Sequence, residues 1–468
     1  MKSSLQKQTD FQTRFLQSQR THVVMITNHG MHNWNIIPGL PDTGGQNVFV
    51  NQLSQALADN GCRITVFNRG GYPHPVTGEN REGIHYKDEY QRLVFLTDNT
   101  PSFIPKEQMA PQIPKLVQSL LTFLSTDPAP PDLIISHYWD GAEIGRHAVQ
   151  KMDPDLLHIW VPHSLGQIKK RNVSADRWDK LAIEQRIEIE AAICTEVDAV
   201  VSTSSLIKES LQSRYYNRKP VLDLPPCIDT KRFYPREIHP DDPIWTFLSN
   251  FCPFTPQQIR SKRIITEISR TDSTKRKDIL VEAFLKLSKE YPDILLVTSI
   301  DPEETVGNEL MQLIRGADEG DSIAILSNVY DQLPDLYAIS CLYCTPSIME
   351  GFGMSAQEAA ATGIPVVASD RVPFAVEVLL GENSQEKVFD PHQNPLLLGE
   401  GSIVVPADNP DGFTSAMAML LEDERLRSTM GKAAYEKTIP AFSWAFRISG
   451  ILNQVNALQT NHTGCGES

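Results

Sequence analysis

Thr345-Pro-Ser-Ile-Met-Glu-Gly-Phe-Gly-Met-Ser-Ala-Gln-Glu-Ala-Ala-Ala-Thr-Gly-Ile-Pro-Val-Val367 decides how this chain is read. The apolar runs Leu342-Tyr-Cys344 before it and Pro365-Val-Val-Ala368 at its end read as buried strands, with a helix-forming Ala-Gln-Glu-Ala-Ala-Ala run between them. Strand, glycine turn, helix and strand in that order build a doubly wound parallel sheet. Gly351 and Gly353 let the backbone come close to an anion. A helix opening near Ser355 would aim its free N–H groups and positive dipole end into the loop, which suits a diphosphate. Glu350 and Glu358 bracket the turn and, at about 1.5 Å per helical residue, lie roughly 10–15 Å apart. That separation suits one carboxylate on sugar hydroxyls and the other on a ribose, so a nucleotide-sugar is the expected ligand. The same residues also read as a simple capping box, with Glu358 tying back to the helix start at Ser355.

Outward from this stretch the same alternation continues. His22–Thr27, Arg63–Phe67, Leu93–Leu96, Leu133–Ile135, Leu157–Val161 and Ala199–Ser202 read as strands of a first half. Arg263–Ile268, Ile294–Val297, Ile323–Leu326 and Ser402–Val405 join the two strands above as a second half. Short apolar runs separated by helical stretches indicate parallel strands with helical crossovers. Between Pro235 and Lys262 the pattern breaks into Pro, Asp, Asn, Ser and Gln, and a linker is expected there. The domains are therefore set at 1–245, 246–440 and a terminal helical segment, 441–468.

A chain of 468 residues exceeds one ordinary core, and 41% hydrophobic with 22% charged residues supplies two. A net charge of −15 argues against nucleic acid or an anionic membrane as partner, so an anionic substrate needs a local basic pocket. Seven cysteines form no regular framework, and a reducing compartment is expected. Cys341 and Cys344 have the spacing of a metal or redox pair, but no second pair accompanies them. Asp153-Pro-Asp155 reads as a proline turn and not as a magnesium site. No apolar run reaches the ~18 residues of a membrane span, and the N-terminus lacks the apolar core of a signal peptide. The expected location is cytoplasmic, with no membrane and no nucleic acid as partner.

Three further constellations carry chemistry. Arg270 follows a strand and Lys275 lies five positions on, before a helix, so the pair can place two cations on one diphosphate. Lys275-Arg276-Lys277 also reads as a solvated basic turn. Asp42-Thr-Gly-Gly-Gln46 lies between the first strand and first helix, where Gly44 and Gly45 admit a close ligand. Ser136-His-Tyr-Trp-Asp-Gly141, His163-Ser-Leu-Gly166 with Lys169, and Arg186-Ile-Glu-Ile-Glu190 supply the remaining polar groups. Each has a plainer reading: His163 as a core histidine, Lys106 and Lys169 as surface lysines, Arg186 as a helical ion-pair partner of Glu190, Asp140 as a helix cap. His29 and His32 stand in the first loop with no role assigned.

Taken together, these phrases resemble the retaining glycosyltransferases of the GT-B fold, in particular family four. Glu-Gly-Phe-Gly-Met-x-x-x-Glu is similar to their donor-site signature, and Arg270 with Lys275 to their Arg-x4-Lys position. Asp-Thr-Gly-Gly-Gln resembles the glycine loop of the sucrose-phosphate synthase and sucrose synthase branch, and the likeness runs from about residue 22 to 458. The resemblance implies two Rossmann-like doubly wound parallel-sheet domains facing across a cleft, with the terminal helix crossing back to the first. It implies glucosyl transfer from UDP-glucose to fructose 6-phosphate with retained configuration, giving sucrose 6-phosphate and UDP.

In that scheme Glu350 holds the glucose hydroxyls and Glu358 the ribose. Gly44 and Gly45 line the donor, Gly351, Phe352, Gly353 and Met354 line its sugar and diphosphate with backbone, and Arg270 and Lys275 hold the diphosphate. His163 touches the transferred sugar, which with Arg270, Lys275 and Glu350 makes the catalytic set. Gln46, Lys106, Tyr138, Asp140, Lys169 and Arg186 face the acceptor. No carboxylate acts as nucleophile, because a retaining glycosidase pair would stand much closer. The acceptor attacks on the face from which the nucleotide departs, and the departing phosphate helps remove its proton. No cofactor is expected, magnesium being stimulatory at most, and a separate sucrose-phosphate phosphatase is an expected partner.

The chain departs from this pattern at Pro226-Cys227-Ile228 and in the first loop, His32 to Gly39, which bears on the acceptor. It stops without a phosphatase-like extension, so a phosphorylated disaccharide is the expected product. The rival readings are a mannosylfructose-phosphate synthase, a sucrose synthase acting on free fructose, and a UDP-sugar epimerase on the same fold. A Rossmann dehydrogenase is excluded by the lack of Gly-x-Gly-x-x-Gly after the first strand.

Overall fold

The computed structural model describes residues 2–37, 40–327, 329–388 and 395–464; Pro38 and Gly39 of the departing first loop lie outside them. The chain forms two compact units, residues 1–227 with 444–468, and residues 228–443. Each carries one eight-stranded sheet.

In the first unit the strands are β1 (Thr21–Thr27), β2 (Cys62–Arg69), β3 (Ile84–Tyr86), β4 (Gln91–Leu96), β5 (Leu133–His137), β6 (His158–Val161), β7 (Ala199–Ser202) and β8 (Val221–Asp223). Their order is β3-β4-β2-β1-β5-β6-β7-β8. All neighbours are parallel except β3 on β4. Val24 and Ile26 pack on one face against the helices Ile113–Thr126 and Tyr138–Met152. Val23 and Met25 pack on the other face, against the helix Gly45–Asp59 and the terminal helix Trp444–Gly464. Burial on both faces explains why the strand reads as a continuous apolar run rather than an alternation.

The second unit holds β9 (Arg263–Glu267), β10 (Ile294–Ser299), β11 (Ile323–Leu326), β12 (Ser340–Thr345), β13 (Val366–Ser369), β14 (Gln385–Lys387), β15 (Leu396–Leu398) and β16 (Ser402–Val405). Their order is β11-β10-β9-β12-β13-β16-β15-β14. The last two strands run antiparallel, so both sheets depart from pure parallel pairing at an edge. In each sheet the chain starts in the middle and turns outward twice, leaving a crevice at the carboxyl ends of β1 and β5, and of β9 and β12.

Two expected boundaries change. Residues 228–245, placed with the first half from sequence, belong to the second unit: Ile228 donates to Phe442 O at 2.7 Å and Phe233 packs in the same apolar cluster as Tyr337. The expected linker is folded. Helices Pro243–Ser249 and Pro256–Arg260 seat Ile244, Trp245, Leu248 and Ile259 against Ile264 and Leu295 of the sheet. Asp242 and Thr255 cap these helices, so the polar composition that resembled a linker is capping chemistry. The terminal segment begins at Trp444, three residues later than expected.

Candidate functional site

In the second unit the loop after β9 carries Arg270 and Lys275, and the loop after β12 carries Glu350. The two loops are joined by backbone: Ile348 donates to Thr274 O at 2.8 Å, and Ser347 Oγ to the same oxygen at 3.2 Å. Lys275 Nζ consequently reaches Glu350 Oε1 at 2.6 Å, both groups being largely sheltered. Its two basic neighbours turn elsewhere. Arg276, in a left-handed conformation, pairs with Asp278 and Asp408. Lys277 is buried and pairs with Glu267 at 2.9 Å while donating to Ser269 O at 2.9 Å and to Ser299 O. Burial pulls the Lys277 pKa down, and Glu267 opposes the fall. Arg270 does not converge with Lys275: its side chain is 74% exposed and leans on Asp272 at 3.3 Å.

The helix after Glu350 starts at Met354 and is capped by Gly353, not Ser355, so the capping box does not form. Gly353 has φ 109°, and a Cβ there would stand 2.7 Å from Val372 Cγ1. This left-handed residue swings the helix start so that the first N–H groups are left without helical acceptors. The Phe352 side chain is buried and packed on Phe374 and Phe442 with ring centroids 5.4 and 5.8 Å apart, which leaves its backbone, the part expected to line the donor, to the loop. Glu358 follows one turn into the helix, half-buried. Burial drives its carboxyl up to about 7, against the opposing charge of Arg232.

In the first unit the groups gather at the carboxyl ends of β1, β5 and β6. Lys106 Nζ pairs with Asp42, whose Oδ2 also accepts from the Lys106 amide at 2.9 Å. Burial lowers the Lys106 pKa, but Asp42, Tyr138 and Glu107 together outweigh it and the net shift is upward. Glu107 stands 3.6 Å from Lys106 Nζ and 3.4 Å from Lys169 Nζ. Burial lowers the Lys169 pKa in spite of Glu107. A pocket is lined by Lys106, Glu107, Tyr138, Trp139, Gln185 and Arg186, among others.

Arg186 is the buried partner of Glu190 at 2.7 Å, the plainer of its two readings, and also donates to Tyr138 Oη and to Ser164 O at 2.6 Å. Glu190 further accepts from Gly166 N at 2.8 Å and from Tyr215. This network fixes the pocket wall and leaves Arg186 with its hydrogen bonds already made. Lys106, Lys169 and Arg186, the cations expected to face an acceptor, each stand beside a carboxylate.

Asp140 is fully buried and caps nothing. Its two oxygens accept from His29 Nδ1 and Asn28 Nδ2, each at 3.0 Å. His163 has φ 56°, and its Nε2 lies 2.9 Å from His137 Nδ1 with the rings stacked. Burial lowers its pKa to about 3, with His29 adding to the effect, so the ring is neutral. Gly44 caps the helix that begins at Gly45, and Gln46 Nε2 donates to Thr27 Oγ1 at 3.2 Å. The departing first loop is held at Asn33 and Trp34: Asn51 donates to Asn33 O and Trp34 O, and Lys87 sits over the Trp34 ring.

Sequence reading assigned no role to Asp42, Glu107, His137, Glu267 or Lys277, whose contacts run between separate segments. Among the described residues no group of three or more His, Cys, Asp or Glu side chains is gathered to hold a metal. Cys341 and Cys344 are free thiols on β12, and Asp153 and Asp155 lie in a turn. Among the described residues no helix is long and apolar enough to cross a membrane.

Two crevices at paired sheet ends, one edged by a lysine–glutamate loop and a helix N-terminus, are what a glycosyl-transferring enzyme of GT-B architecture requires. Residues 43–232 match the Glycosyltransferase Family 4 model and residues 254–437 the Glycosyl transferases group 1 model. The chain belongs to the family-four, GT-B glycosyltransferases and is a glycosyltransferase enzyme.

Within that family it is similar to the mannosylfructose-phosphate synthase of Agrobacterium fabrum, 26% identical over 94% of this chain and 91% of the relative. It is also 26% identical to a probable sucrose-phosphate synthase of Thermosipho melanesiensis, over 72% of this chain and 78% of that one. Among solved structures the fold matches a sucrose-phosphate synthase from Thermosynechococcus elongatus, with TM-score 0.74, 23% identity and coverage of 94% and 100%. Anabaena HepE in complex with UDP and glucose matches with TM-score 0.65, 15% identity and coverage of 93% and 100%. The protein is thus a glycosyltransferase similar to the sucrose-phosphate and mannosylfructose-phosphate synthases.

Proposed function

We propose that the protein transfers glucose from UDP-glucose to fructose 6-phosphate, with retention of configuration, giving sucrose 6-phosphate and UDP. The observation that carries this reading is a pocket of the first unit lined by Lys106 and Arg186, with Lys169 Nζ 3.4 Å from Glu107 of the same lining, an arrangement suited to a phosphorylated acceptor. Arriving phosphate oxygens would take over the lysines from Asp42 and Glu107, so an uncharged ketose competes poorly. In the second unit Lys275 and the free N–H groups of the helix at Met354 stabilise the departing diphosphate. Glu350 orients the transferred sugar and Glu358 receives the ribose, while Arg270 swings in from solvent. His163 holds the sugar from the first unit. Orientation and charge stabilisation of this kind supply the rate without a protein nucleophile.

We assign no metal or other cofactor to these steps, place the enzyme in the cytoplasm, and expect a separate phosphatase to consume the product. A second reading, mannosyl transfer to the same acceptor, is favoured by the near full-length likeness to the Agrobacterium enzyme. One assay separates them. UDP-glucose, ADP-glucose and GDP-mannose are each supplied with fructose or fructose 6-phosphate, and nucleotide release and product are measured. Release only with UDP-glucose and fructose 6-phosphate is the expected result. GDP-mannose turnover selects the second reading, and donor consumption without acceptor rejects both.

A further inference from the structure

We propose that His137 is a positioning residue: it donates from Nδ1 to His163 Nε2 and so fixes His163 in the tautomer that offers its Nδ1–H to an oxygen of the transferred sugar. The proposal rests on the sugar contact given to His163 above and adds a residue to which that reading assigns nothing. His137 closes β5 and is fully buried, while His163 stands half-buried two residues beyond the neighbouring strand β6. The two rings stack at 28° with centroids 5.2 Å apart, and His137 Nδ1 lies 2.9 Å from His163 Nε2. Phe49 packs edge-on against both, 5.0 Å from His163 and 6.2 Å from His137. His163 is held at φ 56°, in the left-handed region that strains a residue with a side chain, and Ser164 N donates to Pro162 O at 2.6 Å around it. The backbone is thus bent where this ring meets His137.

The tautomers follow from what the two outer nitrogens meet. Burial lowers both pKa values, that of His163 to about 3, so both rings are neutral and each carries one N–H. One facing nitrogen therefore donates and the other accepts. His137 Nε2 is sealed from solvent and has no protein partner among the described residues. Were His163 the donor, the only N–H of His137 would lie at that sealed position. With His137 as donor a bare lone pair lies there instead, which costs less than an orphaned N–H. The His163 proton then sits on Nδ1. Among the described residues no protein group hydrogen-bonds to that nitrogen, and it is not one of the sealed atoms. A donor there suits a sugar oxygen, which accepts. Neither ring exchanges a proton with substrate, so proton removal stays with the departing phosphate.

Wild type, His137→Leu and His137→Asn are compared by nitrogen NMR of isotopically labelled histidines, with the His163 signals assigned from a His163→Gln sample. Kinetics are measured on the donor and acceptor that the assay above identifies. In wild type His163 should show a protonated Nδ1 and a bare Nε2. His137→Leu removes the donor, so His163 should show mixed tautomers and UDP affinity by calorimetry should be retained. Its kcat should fall by about 10–10², the usual loss when a group that orients an imidazole is removed. His137→Asn can donate from nearly the same place, and should restore the Nδ1–H tautomer and all but about threefold of kcat. A bare Nδ1 on His163 in wild type overturns the proposal. So does a His137→Leu enzyme that keeps more than about a third of wild-type kcat, or a His137→Asn enzyme that loses as much as His137→Leu, the result a merely structural His137 would give. Should His137→Leu fold poorly, the wild-type nitrogen shifts and the Asn variant decide. Failure of the proposed function looks different: wild type then turns over another donor or acceptor, while the His163 nitrogen shifts still report on the pair.

Discussion

The Lys275 ammonium sits 2.6 Å from Glu350, and the proposed transfer uses it to stabilise the departing diphosphate. Lys275→Ala should lower turnover by ~10²–10³, the usual loss when one charge-stabilising group is removed, with acceptor KM little changed. Lys169→Ala should mainly raise acceptor KM, because its cation lies on the acceptor side beside Glu107. Steady-state kinetics in both substrates separate the two, and near-normal kcat in Lys275→Ala removes it from the site. Glu358 yields a pH prediction. Its carboxyl ordinarily titrates near 4.5 and is lifted to about 7 in the fold. The native state therefore holds a proton that the unfolded chain releases, so stability from this group is full below about 4.5 and lost as pH rises to about 7. Glu358→Gln feels no such loss. It should match wild type at pH 4.5 and exceed it by ~3 kcal/mol at pH 8, while binding UDP more weakly. Denaturant melts at the two pH values check this, and equal stability at both rejects the buried-carboxylate account.

At the scale of elements, the loop between β9 and the helix Lys277–Ser288 is where sequence spacing and three-dimensional contact divide the work. The Arg-x4-Lys spacing singles out Lys275, and the structure turns the adjacent Arg276 and Lys277 away from Glu350. The spacing could not show that Lys277 anchors the loop through Glu267, Ser269 and Ser299, since those partners lie on β9, on the loop after it and on β10. Lys277→Ala leaves the Glu267 carboxylate buried and unpaired, which should destabilise by ~3–5 kcal/mol. Adding Glu267→Gln should recover part of that loss, and chemical melts of the single and double variants test the coupling. Capping chemistry misled in the same physical way. Asp242 and Thr255 made residues 235–262 resemble a linker, although their apolar partners Ile244, Trp245 and Leu248 are packed on the sheet. Strands buried on both faces were legible as apolar runs. The short strands β3, β8, β14 and β15 were not, having three residues each.

On the scale of the whole molecule, the first unit is discontinuous in sequence, because residues 444–468 complete it after the second unit has been built. The terminal helix buries Ile448, Ile451 and Val455 against the face that carries Val23, Met25 and Leu133. Trp444 Nε1 donates to Gln52 Oε1 at 3.1 Å, and the Trp444 ring meets Phe49 edge-on at 5.4 Å. Phe49 in turn packs on the rings of His137 and His163. Removing the helix withdraws three buried aliphatic side chains worth ~1.5–3 kcal/mol each and opens the sheet face beneath them. A chain ending at Ser443 should therefore lose stability in the first unit first. Limited proteolysis is expected to cut within residues 1–227 at denaturant concentrations that leave residues 228–443 intact. Because Phe49 supports the histidine pair, the truncated enzyme should lose turnover even in mild conditions where UDP affinity of the second unit is retained. Equal protease resistance of the full and shortened chains would show that the sheet face is covered without the helix, and would remove it from the first unit's core.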